Sequence, residues 1–219
     1  MHAPAAAPPA EFNWGATLRS MVYINKVYTR FGDKGETMLA NGATVSKSSA
    51  RVQSYGDVDE LNACLGVLRL EISRGGAESP RASAWCAALD ATLERIQQEL
   101  FNLGAELATP GAEDSATATV VEGRHIKALE AEIDARNDAL EPLTSFILPG
   151  GGAVAAMGHL ARTVCRRAER HVVALMESEP VRPETQVYLN RLSDLLFVLS
   201  RDASREFGAP EVLWNPKTT

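Results

Sequence analysis

Apolar residues recur every three or four positions through nearly all of the chain after Ser49, and that spacing predicts helices. Val58, Leu61, Leu65, Leu68 and Ile72 mark a first helix; Leu89, Leu93, Ile96, Leu100, Leu103 and Leu107 mark a long second one. Ile126, Leu129 and Ile133 mark a shorter third. A fourth places Met157, Leu160, Val164, Ala168, Val172 and Leu175 on one side. A fifth carries Leu189, Leu192, Leu196, Leu199 and Ala203 and breaks at Gly208 and Pro210, where helices commonly stop. Connections are expected at 75–80, 109–119 and 149–152, which are polar or rich in Gly and Pro. With no internal repeat and no second core, the pattern predicts an all-α, five-helix bundle.

Residues 22–47 lack helical periodicity and are dense in Gly, Thr, Asp and Lys, so they read as an ordered loop with a short strand. Residues 1–21 are rich in Ala and Pro without the apolar core of a secretory signal. They read as a disordered extension or tail, with 22–219 as the helical domain. The 219 residues suffice for one sizeable core.

The fourth helix contains the densest chemistry, Arg162-Thr-Val-Cys-Arg166-Arg167-Ala-Glu169-Arg170. At about 100° per residue, Arg162, Arg166, Glu169 and Arg170 fall opposite the apolar side. Guanidinium groups in a row, with a carboxylate among them, suit phosphate oxygens. A solvated face with local ion pairs is the alternative. The formal charge of −6 disfavours a general nucleic-acid binder, so the row points to a small anionic ligand. No apolar run is long enough to span a bilayer. Cys64, Cys86 and Cys165 form neither a disulfide framework nor a zinc pattern, which fits a reduced cytoplasm.

The loop Tyr28-Thr29-Arg30-Phe31-Gly32-Asp33-Lys34-Gly35-Glu36-Thr37, with Ser46-Lys47 beyond it, has the composition of a phosphate cradle, although a plain surface turn explains its core equally well. It lacks Walker spacing. Ser54-Tyr55-Gly56-Asp57-Val58-Asp59-Glu60 opens the first helix; Asp59 or Glu60 is expected to pair with an arginine of the fourth, within the chain or across a subunit contact. First-turn acids also suit the helix dipole without any partner. Phe146 precedes the fourth helix, as a staple or core residue or as a ligand contact. Asn190 stands on a polar ridge of the fifth, where capping or an interhelix hydrogen bond is as good a reading. Glu122-Gly-Arg-His125 matches one element of a di-iron bundle, which needs two. His159 is expected to be solvated near the arginine face.

Taken in order, Thr29–Thr37, Tyr55–Asn62, Phe146–Gly151, Ala161–Arg170 and Leu189–Asp194 resemble the PduO-type ATP:cob(I)alamin adenosyltransferases, from about Tyr23 to Trp214. The resemblance implies a ferritin-like, up-and-down bundle assembled as a homotrimer with active sites between subunits. It implies that Thr29, Arg30, Phe31, Gly32, Asp33, Lys34, Gly35, Thr37, Met38 and Lys47 surround ATP. Arg166, Glu169, Arg170 and Asn190 would complete that site from the adjacent subunit, with Glu169 and the triphosphate carrying magnesium. Asp59 and Arg162 would form an intersubunit salt bridge beside cobalamin, and Phe146 would fill its lower face. Transfer of 5'-deoxyadenosyl from ATP to cobalt(I) follows, with a cobalamin reductase upstream and a B12-dependent acceptor enzyme downstream. Phe31 departs from the pattern, where a small hydroxylated residue is usual. A trimeric ATP-binding sensor without catalysis is the alternative.

Overall fold

The computed structural model describes residues 28, 30–112 and 119–218. The expected extension at 1–21, the start of the loop at 22–27 and Thr29 lie outside those residues. Among the described residues there are five α-helices: α1 (Ala50–Glu78), α2 (Ser83–Leu107), α3 (Gly123–Asn137), α4 (Gly152–Met176) and α5 (Pro183–Glu206). Laterally they run α2, α1, α4, α5, α3. Hydrogen bonds from α5 and α2 to each other close the ring: Tyr188 Oη donates to Glu99 at 2.7 Å and Trp85 Nε1 to Asp202 at 2.8 Å.

The apolar stripes expected for α1, α2 and α5 are buried in one continuous core. Each fully buried leucine contributes about 1.5–3 kcal/mol of transfer free energy. On α3 only Leu129 is fully buried, while Ile126 and Ile133 pack at the edge.

Three expectations of the fold are corrected. The connection at 75–80 is instead helical to Glu78; its Gly75 lies under the Phe207 ring, where a Cβ would stand 2.7 Å from Cζ of Phe207. The helix begins at Ala50, capped by Ser49, so Asp57–Glu60 sit beyond its first turn and the dipole does not explain them. On α4, Val164, Ala168, Val172 and Leu175 are buried as expected, but the core face also takes in the small residues Ala155, Gly158, Ala161 and Cys165, which allow close approach of α1 and α5. Leu160 therefore falls outside the core, 48% exposed.

The loop before α1 carries more structure than one short strand. A 3-10 turn spans Phe31–Lys34, and β1 (Glu36–Met38) pairs antiparallel with β2 (Thr44–Ser46). Buried Leu39 and the bond from Ala40 N to Ala108 O at 3.0 Å fasten this hairpin to the end of α2.

Candidate active site

Two separate groups of the expected residues take shape within the chain. The first is the loop. Arg30 has φ 63°, the only non-glycine residue of positive φ among those described, a strain of roughly 1–2 kcal/mol that clusters at functional positions. Its guanidinium lies 5.9 Å from the centroid of the Tyr28 ring. Gly35, at φ 84°, ends the turn and accepts Lys47 N at 2.8 Å. Lys47 Nζ donates to Gly32 O at 2.9 Å and lies over Gly32, 2.8 Å from where a Cβ would stand. Thr37 hydrogen-bonds the Tyr55 side chain, tying the loop to α1, and burial raises the Tyr55 phenol above its usual range. Phe31, Asp33, Lys34 and Met38 are all exposed on the outer side. The cradle is thus mostly backbone with cations around it.

The second group is on α4 and α5. Arg166 and Arg170 are exposed as expected, Arg170 donating back to the Arg166 carbonyl at 3.1 Å. Glu169 Oε1 accepts from Asn190 Nδ2 at 3.0 Å and Gln186 Nε2 at 3.2 Å, so the interhelix reading of Asn190 holds. Arg162 is half-buried; burial, then the neighbouring Arg166, disfavours its charge. Arg162, Arg166, Ser193, Asp194, Phe197 and Val198 line a groove of about 190 Å³. His159 is buried, not solvated, because α5 covers it with Phe197.

The acidic residues of α1 sort in a way spacing did not reveal. Glu60 and Asp57 pair with Arg167, and Asp57 also meets His171. Arg167 thereby rotates toward α1 while Arg166 and Arg162 face α5. Asp59 has no ion-pair partner among the described residues and lines an apolar groove with Tyr55, Asn62 and Phe101. Among the described residues no hydrogen bond or ion pair joins Arg30, Lys34 or Lys47 to the α4–α5 group, or Asp59 to Arg162.

Phe146 is neither staple nor core. It is 78% exposed and stands beside Trp214, ring centroids 6.3 Å apart. Trp214 N donates to Phe146 O at 2.7 Å, Leu148 N to Val212 O at 2.8 Å, and Ile147 bridges Leu213. The C-terminal segment therefore braces an exposed aromatic pair. The only sequence signal for Trp214 beside Phe146 is the Val-Leu-Trp run after Pro210.

Glu122 and His125 form a reciprocal cap at the start of α3, His125 Nδ1 accepting from Glu122 N at 2.9 Å, which accounts for their spacing without iron. Among the described residues no helix is long and apolar enough to cross a membrane, and all three cysteines are free.

The sequence pattern of the family described as Cobalamin adenosyltransferase matches residues 27–203. The chain is 43% identical to the Cobalamin adenosyltransferase of Cupriavidus metallidurans over 191 residues, covering 87% of this chain and 95% of that protein. It is 42% identical to the Corrinoid adenosyltransferase of Bacillus subtilis over 85% of this chain and 91% of the other. Its fold is similar to that of a variant PduO-type ATP:corrinoid adenosyltransferase from Lactobacillus reuteri complexed with cobalamin and ATP, with TM-score 0.78, 35% identity and coverage of 87% and 99%. Matched over most of its length in sequence and in fold, the chain belongs to the cobalamin adenosyltransferase family.

Proposed function

We infer that this protein transfers the 5'-deoxyadenosyl group of ATP to the cobalt of cob(I)alamin, giving adenosylcobalamin and triphosphate. Family membership over residues 27–203 carries this reading. In the reaction the cobalt(I) electron pair forms the bond to the ribose carbon, the carbon–oxygen bond breaks, and triphosphate leaves with those electrons. No proton need be removed, so the protein's work is alignment and stabilisation of charge on the leaving group.

Arg30–Lys47 supply backbone N–H groups and cations for ATP, with Thr29 beside them by resemblance. Arg166, Arg170 and Asn190 act on the phosphates and ribose. Glu169 suits magnesium: its Oε1 is held by two amides, and its Oε2 has no partner among the described residues. That leaves a hard oxygen donor of the kind magnesium takes alongside phosphate oxygens.

The separation of loop and arginine groups within one chain supports a homotrimer whose sites lie between subunits, each copy giving its loop to one site and α4 to another. Unpaired Asp59 and half-buried Arg162 supply the complementary charges for that boundary. Phe146, braced by Trp214, would meet the lower face of the corrin and ease reduction of cobalt(II). A non-catalytic ATP sensor has no use for this exposed aromatic pair. The chemistry calls for a cytoplasmic reductase to supply cobalt(I) and a B12-dependent enzyme to accept product; the three free cysteines suit that compartment.

The test is an anaerobic assay with magnesium-ATP and chemically reduced cobalamin. The light-sensitive adenosylated product and one triphosphate per turnover are expected. ATP binding without product would overturn the enzymatic reading in favour of the sensor.

A further inference from the structure

His159 extends the arginine stripe of α4 toward its N-terminus. It precedes Arg162 by three residues and Arg166 by seven, spacings that share one helix face. Unlike Arg166 and Arg170 it is 4% exposed, its ring tilted against Phe197 with centroids 6.2 Å apart. Its Nδ1 is buried without a partner, and so is Nε of Arg162. Orphaned buried polar atoms are costly. These two are chemically complementary: an imidazole nitrogen can accept, and Nε–H of a guanidinium can only donate.

We propose that His159 is a positioning residue for Arg162: its Nδ1 accepts the Arg162 Nε–H when the guanidinium reaches across the subunit boundary to Asp59, leaving both Nη groups for the carboxylate. The proposal rests on the intersubunit reading above and deepens it. The histidine acts by fixing which edge of the guanidinium faces the cobalamin side, and touches no reacting atom itself.

The accepting role requires a neutral ring carrying its proton on Nε2. Burial first, then Arg162, holds His159 below the usual histidine range, while Glu211 pulls the other way. The charged groups about the ring are Arg162 on its own helix and Glu211 on the C-terminal segment; Arg166 and Asp194 line the adjoining groove. The neutral form therefore prevails at neutral pH and is lost only as pH falls through the lowered value. Protonation would turn Nδ1 into a donor facing another donor and set a cation against Arg162.

The experiment is steady-state kinetics on the full chain, varying cob(I)alamin and ATP separately between about pH 5 and 8, the span in which histidines titrate. His159→Leu removes the acceptor, whereas His159→Asn keeps an acceptor near the place of Nδ1 and cannot be protonated. A lost bond to a charged group predicts a rise of about tenfold in the cobalamin KM of the Leu variant, with the ATP KM unchanged. The Asn variant should recover to within about threefold of the parent and lose the acid-side weakening of cobalamin binding. In an Asp59→Ala background, His159→Leu should add less than about twofold, because the two act on one guanidinium.

Equal effects of Leu and Asn, a matching rise in ATP KM, full additivity with Asp59→Ala, or no acid-side weakening in the parent would each overturn the proposal. If the Leu variant does not fold, the Asn variant decides alone: persistence of the acid limb sinks the idea and its loss supports it. An unaltered protein that makes no product defeats the enzymatic reading itself; active protein with an indifferent Asp59→Ala defeats the intersubunit reading. Active protein with a sensitive Asp59 and indifferent His159 variants defeats this proposal alone.

Discussion

The loop at Arg30–Lys47 and the stripe on α4 are both cationic, yet they are built in opposite ways. The loop relies on backbone: a strained Arg30, a turn ended by Gly35, and a lysine folded over Gly32. Its fixed part is the course of the main chain. The stripe relies on side chains standing on a long helix whose other face is buried, with Glu169 held by two amides of α5. Backbone can be re-formed by many sequences but tolerates little at a few positions, whereas helix-borne side chains can be removed one at a time without disturbing the fold. The two cationic surfaces therefore differ in their sensitivity to substitution.

The largest contrast should come from Arg166→Ala. Loss of a preorganised charge at the leaving group should lower kcat by about a hundredfold or more. Circular dichroism melting should stay within about 2 °C of the parent, because an exposed position contributes little packing. A large drop in melting temperature would show that the stripe is structural and erase the contrast.

Mixing two crippled proteins sharpens it further. Subunits of Arg166→Ala co-refolded with subunits of a Lys34→Ala, Lys47→Ala double variant should regain about a quarter of parental activity, because random head-to-tail association rebuilds one site in four from intact halves. An absence of recovery in verified mixed oligomers would mean that loop and stripe act within one chain.

Phe146→Ala tests the third surface, the aromatic pair, which belongs to neither half. Burying an aromatic ring against a ligand is worth about 1.5–3 kcal/mol, so the reaction from cobalt(II) should fall roughly tenfold or more. The reaction from prereduced cobalt(I) should fall less, and equal losses would remove Phe146 from the lower face.

The smallest effect is expected from Lys47→Ala. Losing the bond to Gly32 O should raise the ATP KM about fivefold, near 1 kcal/mol, with the cobalamin KM unmoved. A change in both constants would mean that the loop also shapes the corrinoid side.

The bundle was legible because its signal is local and repeated. The leucine ladder of α2 could only be one face of a helix, and every member of it is buried. The loop was legible as an ordered, turn-rich segment but not in its form, since a 3-10 turn and a two-stranded hairpin leave no periodic trace in so few residues. The candidate site residues come mainly from resemblance. Their polar partners were assigned less well: Glu60 rather than Asp59 takes the arginine of α4 within the chain, and that arginine is Arg167. Nothing in the spacing separates Asp57, Asp59 and Glu60, which differ by a rotation about the helix that only packing fixes.

Residue type and period alone thus determined five helices, the stripe of cations on the fourth and the turn-rich loop before the first. Tertiary structure decided which side chains those elements spend on one another. Small residues at Gly158, Ala161 and Cys165 draw α4 close to its neighbours, and that approach turns Leu160 outward, buries His159 under Phe197, and leaves Arg162 half covered. The rotation of a helix in its bundle is set by the summed packing of several distant segments, and so no window of the sequence contains it.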